Sequence, residues 1–306
     1  MTSLVGYTGF VGSNLYEADR FDAIYNSKNI REAYGTKPDL LIYAGLRAEK
    51  YLANQAPEKD MEQIRQAEEN IAQIQPKRIV LISTIDVFKV PDKVDEYTVI
   101  DTEKLHPYGY NRYQLEIWVR ERYQDVLIVR LPGLYGKNIK KNFIYDYINR
   151  IPFMLNSTKM DELADADAEL RAYYDFQENG FYKIKTLHEA ERKKLKEKFK
   201  RVGFSAINFT DSRSIYQFYN LKRLWKDIRT ALNLELKLWH PATEPVSAAE
   251  LYEYLSGEKF VNEFMKEPVK YDYRTVYDGP FGGSGGYIET KDEVLNAIRE
   301  FVQTYE

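Results

Sequence analysis

Short apolar runs alternating with amphipathic stretches set the narrowest limit on what this chain can fold into. SLVGYT (3–8), DAIYNS (22–27), LLIYAG (40–45), KRIVLIST (77–84) and VLIVRLPGLYG (126–136) are strand-length and apolar on both faces. Between them FVGSNLYEA, 57–75 and about 108–123 read as helices, and Lys37-Pro38-Asp39 punctuates the entry to the third run. Strands buried on both faces and separated by helices build a parallel sheet with helices on either side. The expected class is therefore α/β.

At the first strand-to-helix turn stands LVGYTGFVGSNL, with Gly6, Gly9 and Gly12 three residues apart. In that setting the first glycine permits a tight bend and the second lets a pyrophosphate approach the backbone. The third lets helix and strand pack closely, while the helix start offers free amide hydrogens to the anion. The spacing is GxxGxxG rather than the commoner GxGxxG, so its strand-helix context carries the assignment. The expectation is a Rossmann, doubly wound dinucleotide-binding domain over 1–140. A smaller C-terminal α/β substrate lobe follows over 141–306, some of whose strand and helix returns to the Rossmann core.

Composition excludes several alternatives. The chain has 306 residues, a formal net charge of −3 with both signs dispersed, and no cysteine. No field is strong enough to recruit nucleic acid or an anionic membrane, and no disulfide, thiolate metal site or cysteine nucleophile exists. His106, His188 and His240 lack metal-ligand spacing, so no metal is expected. With neither a signal-peptide pattern nor an 18-residue apolar run, a cytoplasmic protein is expected. The 26 tyrosines fit half-buried packing or a groove for sugars or bases.

ISTIDVF (82–88) closes the fourth strand, and HPYGYNRYQLE (106–116) follows. With GYTGFVGSNL, LLIYAG and VRLPGLYG in order, these segments resemble the extended short-chain dehydrogenase/reductase family over residues 3–136. That family acts mostly on nucleotide-linked sugars, and the resemblance implies a nucleotide-sugar substrate here and admits a homodimer. It places Thr84 and Tyr108 in the catalytic roles, with Arg112 where the family has lysine. Residues 108 and 112 lie a turn apart on one helix face, so a cation beside the phenol is expected to lower its pKa toward working pH. Arginine keeps the charge but not the geometry of lysine. Three readings stay open: retained activity, slow activity, or a catalytically quiet protein that binds dinucleotide or nucleotide-sugar as a sensor or partner.

The resemblance assigns cofactor contacts to Gly6, Thr8, Gly9, Phe10, Val11, Gly12, Ser27, Lys28, Ala44, Gly45 and Leu131, together with Tyr108 and Arg112. The cofactor is NADP or NAD. The segment after the second strand, YNSKN, offers Ser27 and Lys28 and no carboxylate before Glu32, which accommodates a 2′-phosphate and leans toward NADP. Lys28 is also readable as a solvated loop lysine. Family dehydratases carry Asp-Glu after the catalytic Thr, whereas Ile85 stands in the Asp position here. The GDP-fucose type needs a cysteine. A reductase or 4-epimerase remains, most similar to the dTDP-4-dehydrorhamnose reductase branch.

Beyond residue 136 the alternation stops. Lys141 and Asn142 follow a strand end at which the family contacts substrate, and Arg213 and Arg274 are suited to clamping a diphosphate or to structural ion pairs. The charged stretch over about 158–203 reads as an inserted helical hairpin. Residues 207–233 read as strand then amphipathic helix, and GPFGGSGGY (279–287) as a turn or a mobile flap.

Overall fold

The structure, a computed structural model, describes residues 1–178 and 180–305. The two other positions, one inside the expected 158–203 insertion and one closing the 141–306 lobe, lie outside the described residues. In chain order the first elements are β1 (Thr2–Val5), α1 (Phe10–Ala18), β2 (Ala23–Tyr25), β3 (Leu40–Tyr43), α2 (Lys50–Gln55) and α3 (Pro57–Ile74). Then come β4 (Ile79–Thr84), α4 (Pro107–Arg122), β5 (Val126–Leu131), β6 (Gly133–Tyr135), α5 (Phe143–Asn149), β7 (Met154–Asn156) and α6 (Ser157–Ala166). The chain continues with β8 (Tyr174–Phe176), β9 (Phe181–Ile184), α7 (Glu189–Arg201), β10 (Ile215–Tyr216), β11 (Phe218–Asn220) and α8 (Leu224–Asn233). It ends with β12 (Leu238–Trp239), β13 (Val246–Ser247), α9 (Ala248–Ser256) and α10 (Lys291–Gln303). Among the described residues no helix is long and apolar enough to cross a membrane.

The apolar runs become a sheet in the order β12-β5-β4-β3-β1-β2, with every pair parallel. Alternate residues feed the two faces. Leu4, Ile42, Val80, Leu127 and Val129 meet Leu15 of α1 and Leu224 and Ile228 of α8. Val5, Leu41, Ile79, Leu81 and Ile128 meet Ile64 and Ile71 of α3 and Leu115 and Val119 of α4. Each such side chain contributes roughly 1.5–3 kcal/mol by leaving water. The chain turns outward from β1 to β2, then crosses to β3 on the other side of β1. That reversal leaves a crevice at the carboxyl ends of β1 and β3, where α/β sheets bind ligands.

Two compact units result, Met1–Ile139 with Ile215–Val246 and Val269–Ile298, and Lys140–Ser214 with Ser247–Pro268 and Arg299–Glu306. The first holds the sheet. In the second, the expected helices of the insertion are present as α6 and α7, but β8 and β9 between them join β7, just before α6, in an antiparallel sheet that the charge pattern conceals. Its core is Leu155, Met160, Leu163, Leu170, Leu195 and Phe199. The 279–287 segment is a bonded turn: the Asp278 carboxylate accepts from Gly279 N and Gly286 N at 2.7 Å each. A Cβ on Gly283 would fall 1.9 Å from Tyr287 O.

Candidate functional site

The glycine turn is built by close backbone approach. Gly6 has φ +94°, and a Cβ there would lie 2.4 Å from Ala44 O; one on Gly12 would lie 2.0 Å from Gly6 O. Any side chain at either position drives β1, β3 and α1 apart. Gly9 differs, since it is exposed, makes no side-chain cap, and leads α1 with its first amides uncapped. Thr8 is exposed beside it, and Phe10 and Val11 are partly buried against the sheet core. This cradle fits a dinucleotide pyrophosphate: smooth backbone, unpaired donors and the positive end of a helix.

After β2, Asn26 and Asn29 shape the loop through Asn26 N to Asn29 Oδ1 and Lys28 N to Asn26 Oδ1, both 2.8 Å, and leave Ser27 and Lys28 exposed. Gly45 is exposed at the end of β3, while Ala44 N donates to Val5 O at 2.9 Å. Leu131 ends β5 opposite Thr84, with its side chain in the core.

Thr84 ends β4 and caps the turn that follows, its hydroxyl accepting from Asp86 N at 3.2 Å. It also lies near enough to the Tyr108 phenol to draw its pKa down slightly. Tyr108 is brought there by the start of α4. Pro107 occupies the first turn, His106 Nδ1 accepts from Gly109 N at 3.0 Å, and Asn54 of α2 accepts from Tyr108 N at 3.0 Å. Gly109 is required because a Cβ would stand 2.0 Å from Asp86 O. Thr84 and Tyr108 therefore meet at the carboxyl end of the sheet, the end that carries the glycine turn.

Arg112 pulls the phenol in the expected direction but does not prevail. Its guanidinium lies over the face of the Tyr108 ring, 4.0 Å from the centroid, ion-paired to Asp60 and donating to Arg47 O at 2.8 Å. Both charged groups are buried, at 4% and 5% exposure. The lowered tyrosine pKa is overturned: burial pushes the Tyr108 phenol up to about 12, Asp86 and Asp60 add to the rise, and Arg112 and Thr84 only partly oppose it. The physical reason is that Asp60 offsets the guanidinium's field, and the rigid fork reaches carboxylate and carbonyl rather than the phenolic oxygen.

Sequence reasoning missed several groups around this pair. Asp86 accepts Lys50 Nζ at 2.8 Å and the Tyr271 hydroxyl at 3.0 Å on one oxygen. His106 stacks beside Tyr108, ring centroids 6.3 Å apart, and burial and then Lys50 hold its pKa below the ordinary value. Asp86 was legible as a carboxylate two residues past Thr84; Lys50, Asp60 and Tyr271 sit in unrelated segments and leave no local signal. A cavity of about 310 Å³ near the starts of α3 and α4, lined by Met61, Leu105 and Tyr110, contains none of the expected residues.

The expected substrate residues divide between the units. Asn142 caps α5, its Oδ1 accepting from Ile144 N and Tyr145 N. Arg213 spends its donors within its own unit, on both oxygens of Asp211 at 3.0 and 2.8 Å, on Met265 O at 2.7 Å and on Glu263 at 3.4 Å. In the sheet unit, Arg274 lies 3.4 Å from Asp272 and over the Tyr287 ring.

No family model and no curated protein matches this sequence. Solved structures do match it over nearly their whole length. A dTDP-4-dehydrorhamnose reductase from Yersinia enterocolitica is 12% identical with a TM-score of 0.64, covering 100% of this chain and 99% of that one. The same enzyme from Bacillus anthracis, solved with NADP, is 15% identical with a TM-score of 0.62, covering 99% and 97%. A UDP-glucose 4-epimerase from Thermotoga maritima, solved with UDP-glucose, is 12% identical with a TM-score of 0.57, covering 100% and 98%. At such identities the likeness is one of fold: this chain has the fold of these reductases and of this epimerase.

Proposed function

We propose that the chain is an NAD(P)-dependent enzyme acting on a nucleotide-sugar, by reduction of a keto-sugar or by 4-epimerisation. One observation carries this reading: the Thr84 hydroxyl lies beside the Tyr108 phenol at the carboxyl end of the sheet, the end that bears an uncapped glycine turn. Full-length likeness in fold to a reductase solved with NADP and an epimerase solved with UDP-glucose supports it.

The glycine turn would hold the pyrophosphate at Gly9 and the amides that follow, and Ser27 and Lys28 would meet the adenosine ribose, favouring NADP. When bound, the dinucleotide supplies or takes up hydride at a sugar carbon. Thr84 orients the sugar oxygen. In the reducing direction Tyr108 gives that oxygen its phenolic proton, which a pKa of about 12 permits because an alkoxide is far more basic. Dinucleotide oxidation by purified protein with 4-keto nucleotide-sugars tests the reading. Interconversion without net oxidation selects the epimerase, and binding without turnover selects the quiet sensor.

A further inference from the structure

Arg112 is buried and held on two sides, and a second, more accessible cation stands in the same unit. Lys50 opens α2, with its Nζ 2.8 Å from Asp86 Oδ1 and its side chain 42% exposed, against 4% for Arg112. Four residues on, along the same face of α2, Asn54 accepts from Tyr108 N. One short helix therefore touches both Asp86 and the turn that carries the phenol. Asp86 is tied into that turn, since its amide donates to Thr84 Oγ1 and its carbonyl lies against Gly109. Tyr271 closes the third side by donating to the oxygen that Lys50 holds.

We propose that Lys50 is a positioning residue of the reaction centre, acting on Tyr108 through the Asp86 carboxylate that it holds. This deepens the reading of Tyr108 as the proton-transfer group and rests on it for any effect on turnover. The charged and titratable groups around the phenol are Asp86 and His106 beside it, Arg112 from α4, Asp60 from α3, Lys50 from α2, and Tyr271. Asp60 opposes part of the pull of Arg112. Asp86 is then the carboxylate whose field at Tyr108 depends on its partner, and Lys50 is that partner.

The test uses the whole protein and two readouts. His106 is one of three histidines, and its ring proton resonances titrate in a range where the fold is intact. In Lys50→Met a like charge is lost and Asp86 is left bare, so the His106 pKa is expected to rise by about half a unit or more. In Asp86→Asn it is expected to fall, and the double variant to return near wild type. Turnover of a 4-keto nucleotide-sugar is expected to drop about tenfold or more in Lys50→Met, with dinucleotide affinity unchanged and partial recovery in Lys50→Arg. A His106 titration unmoved in Lys50→Met overturns the proposal whether or not the protein turns over. A moved titration with wild-type turnover also overturns it. If the wild type turns over no substrate, the functional reading fails by itself, and the charge placement stands or falls on the His106 cycle alone.

Discussion

The sheet unit and the inserted layer between β7 and α7 are held together in different ways. In the sheet, apolar residues alternate between two faces and backbone meets backbone at Gly6, Gly12 and Gly109, where no side chain fits. In the inserted layer a small apolar core is framed by charge: buried Lys198 reaches Asp167 at 2.8 Å and Glu169 at 2.7 Å. The first arrangement fails through volume, the second through burial and charge. The candidate site lies in the first, where close packing fixes positions to a fraction of an ångström.

The largest expected effect comes from filling the glycine turn. Gly12→Val would press a side chain into Gly6 O; loss of dinucleotide binding and a melting temperature lower by many degrees are expected in a titration and a thermal scan. Retained binding would mean that the cradle lies elsewhere.

Next, Tyr108→Phe is expected to lower turnover about 10²- to 10⁴-fold while binding persists, since the ring's packing survives loss of the hydroxyl. The pH dependence follows from the raised phenol. Below about 12 it is protonated, so reduction has its donor throughout the neutral range, whereas alcohol oxidation waits on the scarce phenolate. Oxidation rates are expected to climb about tenfold per pH unit between 7 and 9. A flat profile would remove Tyr108 as the base.

Leu195→Ala opens a cavity in the inserted layer and should cost about 2–4 kcal/mol in denaturant unfolding, with dinucleotide binding unchanged. Coupled loss of binding would show that the layer supports the cradle. The smallest effect is at Asp146 of α5, whose carboxyl is pushed up to about 7 by burial. At pH 4 it is protonated in the fold and about half ionised in the unfolded chain, so the cost there is small. As pH rises the unfolded chain ionises first, so the cost grows from pH 4 and levels off above 7. Asp146→Asn should therefore stabilise by about 1–2 kcal/mol at pH 8 and little at pH 4, as denaturant curves at the two values would record.

Local pattern was a good guide wherever one element decides the outcome. The helix expected over 57–75 is Pro57–Ile74, that over about 108–123 is Pro107–Arg122, and the run 77–84 holds β4. The last long run, 126–136, divides into β5 and β6, because Pro132 removes a ladder donor at the break. The antiparallel strands of the insertion escaped notice because β8 and β9 carry polar and aromatic residues with little apolar alternation.

By itself the sequence determined the alternation that makes a parallel sheet and the glycine turn after its first strand, because period and glycine spacing are written in neighbouring residues, while Thr84 and Tyr108 were singled out through the family resemblance. Only the tertiary structure decided which charges surround the phenol. Asp60 takes Arg112 and Asp86 takes Lys50 from segments 52 and 36 residues away. Ion pairs of that span depend on how helices dock, and a cation's field is set by the carboxylate it meets and the water it loses.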